Sequence, residues 1–232
     1  MKGKSTIINF FIDGFVFANK NFDLFLYDSF MIVLISILDL FPHSLFKTLF
    51  SLIIFQLSFG YFFSLPALLV MRQNKAHLRV KEIIAIIIEN AKKLIRPAVL
   101  LAIVFVGLII IFTIAIFIIK QPQKIKPNLI QQSTDYLIIF ISLTAPVMIF
   151  TAIFFALGKM DFFTALAKAI IYCIKNMSFV ILIIIITISC NILRINIGFK
   201  NAIFSFIITL VFKYFFYYIS VVSLLYYQNK LK

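Results

Sequence analysis

RVKEIIAIIIENAKKLIRP, residues 79–97, decides how this chain is read. Taken as a helix, it carries Val80, Ile83, Ile84, Ile87, Ile88, Ala91, Leu94 and Ile95 on one side, at the i, i+3, i+4 spacing of an amphipathic element. The other side carries Arg79, Glu82, Glu89, Lys93 and Arg96, with Lys81 and Lys92 at the boundary. A long charged face beside an apolar one is the pattern of a helix lying in a membrane interface rather than crossing it.

Composition sets the class around that stretch. Of 232 residues, 63% are apolar and 13% charged, and the mean hydropathy is +1.12. A soluble domain is about half apolar and a quarter charged, so a soluble fold of this chain would expose large apolar patches. An integral membrane protein is expected. The excess of 22 Lys+Arg over 8 Asp+Glu lies at the ends of apolar runs, where cations meet anionic headgroups and set orientation. No basic groove with base-stacking residues is visible, so nucleic acid is not expected as a partner.

Outward from residues 79–97, the reading places six spans, each near the length of about 20 residues needed to cross a hydrocarbon core. They cover residues 21–41, 45–71, 97–119, 136–157, 177–193 and 202–227. Pro42-His43 is a short turn, and residues 120–135, KQPQKIKPNLIQQSTD, are the longest polar loop. Gly158 ends the fourth span and Asp161 is a helix N-cap. MKGKSTIINFF at the start has the basic opening of a signal peptide. Asp13 and Gly14 interrupt its apolar run and no A-x-A site follows, so it is expected to be retained.

Two further stretches resemble the opening one. Anchored on Lys20, Lys92 and Lys175, positions −12, −9, −8, −5, −4 and −1 read Ile8, Phe11, Ile12, Phe15, Val16, Asn19; then Val80, Ile83, Ile84, Ile87, Ile88, Ala91; then Phe163, Leu166, Ala167, Ile170, Ile171, Ile174. Phe10 and Phe17 fall off the first stripe. Each stretch precedes two spans. The expected fold is an all-α polytopic helical bundle, one domain over residues 1–232, with three interfacial helices and a pseudo-threefold repeat of units 5–71, 78–157 and 161–227. Lys47, Lys120, Lys124, Lys126, Arg194 and Lys200 fall on one side and all other basic residues except Lys213 on the opposite side. The positive-inside rule then puts both termini in the cytoplasm, at a bacterial inner membrane.

Chemistry is sparse. His43 and His77 fall on opposite faces of this topology, so they share neither a metal site nor an acid–base pair. No G-x-S-x-G, P-loop, Rossmann glycine pattern or H-E-x-x-H occurs, so no catalytic, cofactor or metal residues are assigned and an enzyme is not expected. Cys173 and Cys190 are small apolar fillers. The candidate intramembrane polar residues are Asp28, Gln56, Asn191 and Lys213.

Asp28 lies roughly 9 Å deep from the end of the first span, and Lys213 roughly 21 Å deep from the end of the sixth, at about 1.5 Å per residue. That difference favours Asp28 near headgroup water and Lys213 snorkelling outward over a direct pair. Gln56, Ser58, Ser64, Thr144, Thr151, Thr187, Ser189 and Asn191 either line a cavity kinked by Pro66 and Pro146 or serve ordinary helix packing, which is the favoured reading. Tyr217, Tyr218, Tyr226 and Tyr227 read as an interfacial aromatic belt.

The segments AIIYCIKNMSFVIL and IIENAKKLIRPAVL, an amphipathic helix ending in K-N or K-K before a hairpin, resemble a loose group of bacterial membrane proteins. The group includes the membrane domain attached to some glycerophosphoryl diester phosphodiesterases and related six-span proteins. The likeness covers nearly the whole chain as a pattern. The phosphodiesterase domain itself has no counterpart here, so its activity and residues do not carry over. The expected function is non-enzymatic binding of membrane lipid, or of a protein partner, through Arg79, Lys81, Lys92, Lys93, Arg96, Lys168 and Lys175. The alternatives are a transporter or permease subunit with its path near Asp28, Gln56 and Asn191, and a lipid-modifying enzyme using Asp28 and polar residues of the spans.

Overall fold

The computed structural model describes residues 7–39, 45–74, 78–119, 128–196 and 202–231. These residues are all-α, in eight helices: α1 Ile7–Lys20, α2 Phe22–Asp39, α3 Leu45–Asn74, α4 Val80–Ile119, α5 Asn128–Gly158, α6 Phe162–Lys175, α7 Met177–Asn196 and α8 Ala202–Lys230. By length and composition, Lys47–Asn74 and Ile207–Lys230 can cross a membrane. A third crossing is added if Phe162–Lys175 and Met177–Asn191, bent by 100° at their junction, count as one span. His43, His77, Lys75 and residues 120–127 of the expected loop lie outside the described residues.

Two boundaries differ from those expected. Residues 79–97 are not a separate element, because α4 runs unbroken through Pro97. A proline removes one N–H donor and crowds the carbonyl four residues earlier. The helical hydrogen bonds on either side hold the segment together, and Pro97 is buried. Residues 128–135, expected as loop, form the first turns of α5.

The helices are placed by small residues and aromatic contacts. Gly60 of α3 faces α4 so closely that an added Cβ would stand 2.6 Å from Ala91 Cβ and 2.9 Å from the Ile87 carbonyl oxygen. A close crossing through a glycine is how membrane helices gain packing without a large side chain. Gly14 plays the same part between α1 and Val222 of α8.

α1 runs antiparallel to the C-terminal half of α8: Phe10 meets Tyr226, Gly14 meets Val222 and Phe15 meets Tyr218. The core joins Phe10, Leu24 and Leu68 with Phe150, Phe179 and Val222. A second cluster, Phe63, Leu94, Ala152 and Phe162, lies where α3, α4, α5 and α6 meet.

Gly158 ends α5, Lys159 follows with φ 48°, and Asp161 caps α6, accepting hydrogen bonds from the Phe163 and Thr164 N–H groups at 3.1 Å. This is the N-cap expected from the sequence.

Candidate functional site: paired charges and a basic helix face

α2 begins at Phe22, immediately after Asn21. The Asn21 side chain donates to the Phe17 carbonyl at 2.9 Å, closing α1, while its own carbonyl accepts from Leu24 N–H at 3.0 Å and opens α2. Asn176 repeats the device between α6 and α7, donating to Tyr172 O at 2.9 Å and accepting from Phe179 N–H at 3.0 Å. α8 touches both elbows: Tyr217 OH donates to the Asn21 carbonyl at 2.9 Å, and Tyr226 OH to Asn176 Oδ1 at 3.2 Å.

Tyr217 and Tyr226 are therefore buried rather than standing in a lipid-facing belt, because a buried phenol needs an acceptor and the helix junctions supply one. The sequence signal was available: K-N occurs at both elbows, whereas α4 carries K-K at the matching place and does not break.

Just past the first elbow, two acids of α2 meet two bases. Asp23 pairs with Arg72 of α3. Asp28 pairs with Lys213 of α8, Nζ standing 2.9 Å from Oδ1 and 3.0 Å from Oδ2. Tyr61 OH donates to the Leu24 carbonyl at 2.5 Å, between the two pairs in sequence.

The expectation that Asp28 and Lys213 sit at separate depths is corrected. Depth was counted from the helix ends as though both began at one level. The last turns of α8 instead run on beside α1, so counting back from the end of the sixth span at residue 227 placed Lys213 too deep. With side chains 34% and 19% exposed, Lys213 and Asp28 are partly sheltered and neutralise each other across the α2–α8 contact.

Gln56 and Asn191 are not brought to this pair by any hydrogen bond. Gln56 Nε2 donates to the Ala91 carbonyl at 2.6 Å, tying α3 to α4 beside Gly60. Asn90 Nδ2 reaches Ser64 Oγ at 2.9 Å across the same seam. Asn191 Nδ2 donates to Ser142 Oγ at 2.8 Å, tying α7 to α5. Thr151 bonds back to Val147 O within α5 at 2.7 Å. Asp28 with Lys213, Gln56 and Asn191 thus fasten three different helix pairs, α2–α8, α3–α4 and α5–α7, as interhelical hydrogen bonds do in membranes. Among the described residues no group of three or more His, Cys, Asp or Glu could hold a metal ion. Cys173 and Cys190 are free.

Arg79, Lys81, Lys92, Lys93, Arg96, Lys168 and Lys175 are all exposed. Lys93 is tied to Glu89 at 2.6 Å, one turn earlier. The packed side of these helices is a line of mostly small side chains: Phe10, Gly14 and Ala18 in α1, Ile83, Ile87 and Ala91 in α4, Ala165, Ala169 and Cys173 in α6. Beside it, Ile8, Ile12, Phe15 and Val16 of α1 are uncovered, as are Val80, Ile84, Ile88 and Ile95 of α4, and Phe163, Ile170, Ile171 and Ile174 of α6. Phe10, off the expected stripe, lies on the packed side. No family model matches this chain, and neither a curated protein nor a solved structure matches it.

Proposed function

We propose that this chain is a six-span protein of a bacterial cytoplasmic membrane, both termini inside, built from three repeated units. Its basic helix faces bind anionic lipid, and it carries no catalysis of its own. The likeness to the membrane domain of certain phosphodiesterases is proposed at the level of this architecture alone.

One observation carries the reading. At about 100° per residue, turning the same way around α1, α4 and α6, a packed strip is followed by an uncovered apolar strip and then by a polar strip ending at Lys20, Lys93 or Lys175. A helix at the edge of a membrane protein has three neighbours: protein, lipid and water. The same rotational order in three helices is what a repeated unit set three times on one membrane side produces. Anchored on Lys20, Lys93 and Lys175, positions −10, −6 and −2 are buried in all three. That register, one residue from the sequence alignment on Lys92, supports the repeat from packing.

Exposed cations beside uncovered apolar side chains attract an anionic leaflet at about 1 kcal/mol per residue near the surface. The protein in mild detergent, offered equal phosphatidylglycerol and phosphatidylcholine, is expected to retain the anionic lipid preferentially in native mass spectrometry. Equal retention overturns the reading.

A further inference from the structure

From Pro97 to Ile119, α4 contains no charged residue. At about 1.5 Å per residue this run matches a hydrocarbon core of about 30 Å. Arg96 is the last charge before it, and Lys92 lies one turn earlier, so both stand at headgroup phosphate level. At i, i+4 their Cβ atoms are about 5–6 Å apart, and two like charges so placed repel. The nearby carboxylate, Glu89, is engaged by Lys93. Lys92 and Arg96 have no ion-pair partner among the described residues and are exposed.

The same face continues downward in apolar side chains. Ile95, Val99 and Ile103 are uncovered, at 49%, 54% and 63% exposure. At about 100° per residue they fall within about 100° of arc shared with Lys92 and Arg96. Two unpaired cations above a ladder of uncovered aliphatic side chains have the outline of a phospholipid, phosphate at the top and acyl chain below. Arg96 supplies a planar fork suited to phosphate oxygens and Lys92 a point charge.

We propose that Lys92 and Arg96 form a binding site for the phosphate of one anionic phospholipid, whose acyl chain lies along Ile95, Val99 and Ile103. This rests on the lipid-binding reading above and assigns one site within it. Charge complementarity together with the aliphatic ladder selects a lipid over a free anion.

The test is native mass spectrometry and lipid titration of the full chain in mild detergent, with phosphatidylglycerol as probe. Lys92→Gln/Arg96→Gln is expected to weaken the tightest binding event roughly tenfold or more, at about 1 kcal/mol per cation. The charge-keeping Lys92→Arg/Arg96→Lys and, outside the basic faces, Lys47→Gln at the start of α3 are expected to retain it, with circular dichroism reporting the fold of each. Inorganic phosphate at matched ionic strength is expected to leave the lipid bound.

If the parent prefers phosphatidylglycerol but the Lys92→Gln/Arg96→Gln protein binds it equally well, this site is overturned and the general reading stands. If the parent has no preference for phosphatidylglycerol over phosphatidylcholine, both fall. Displacement by inorganic phosphate overturns the lipid assignment.

Discussion

Asp28 and Lys213 are 185 positions apart in sequence and share a pair of hydrogen bonds. An unpaired charge within a membrane segment costs several kcal/mol, so each residue makes the other tolerable. Asp28→Asn and Lys213→Gln are each expected to lower thermal stability in detergent. The double variant should lose less than the two losses added, with a coupling of about 1–2 kcal/mol. Additive losses would show that the contact contributes nothing.

Asp161 is held below the usual carboxylate range, first by the Thr164 hydroxyl and then by the Thr164 N–H, both of which favour its ionised form. A depressed folded-state pKa gives stability that is complete above the unfolded value, near 3.8, and lost as pH falls through the folded one. Asp161→Ala is therefore expected to lower the unfolding midpoint at pH 7, and the gap from the parent should narrow below about pH 4. A gap independent of pH would contradict this.

Among the elements, α3 and α4 cross closely at Gly60. Gly60→Ala pushes a Cβ against Ala91 and the Ile87 carbonyl, so a loss of about 1–3 kcal/mol is expected in denaturation from detergent. Ala91→Gly in the same chain should restore part of it. No loss from Gly60→Ala would mean that the crossing opens freely.

The element class, the Asp161 cap and the amphipathic stretches were legible in the sequence because apolar run length and 3.6-residue periodicity act locally. The Gly60 crossing and the tyrosine contacts to Asn21 and Asn176 were not, because they depend on which helices become neighbours. Pro97 misled for a related reason: proline lowers helix propensity locally, yet α4 continues through it, with Leu94 one turn earlier packed in the cluster shared with α3, α5 and α6. Of the candidate polar residues, the sequence identified Asp28, Gln56, Asn191 and Lys213 but not their partners. Helix-end counting cannot see one helix sliding past another.

For the whole molecule, orientation is the open quantity with a direct measurement. In a background with Cys173→Ala and Cys190→Ala, Lys75→Cys is expected to react with an impermeant maleimide only after cells are permeabilised. Lys124→Cys should react in intact cells. The reverse pattern inverts the topology and moves the basic faces to the outer leaflet.

The pairing of Asp28 with Lys213 also sets a timetable. Chains are synthesised at about 5–20 residues per second, so the lysine emerges roughly 10–40 s after its aspartate. During that interval α1 has no α8 to lie against, and the Asn21 carbonyl has no Tyr217 hydroxyl. Asp28 must wait without its lysine partner. α2 can already be tied to α3 through Asp23 and Arg72, but α1 gains its neighbour last, and assembly closes only when the C-terminal helix arrives beside the N-terminal one.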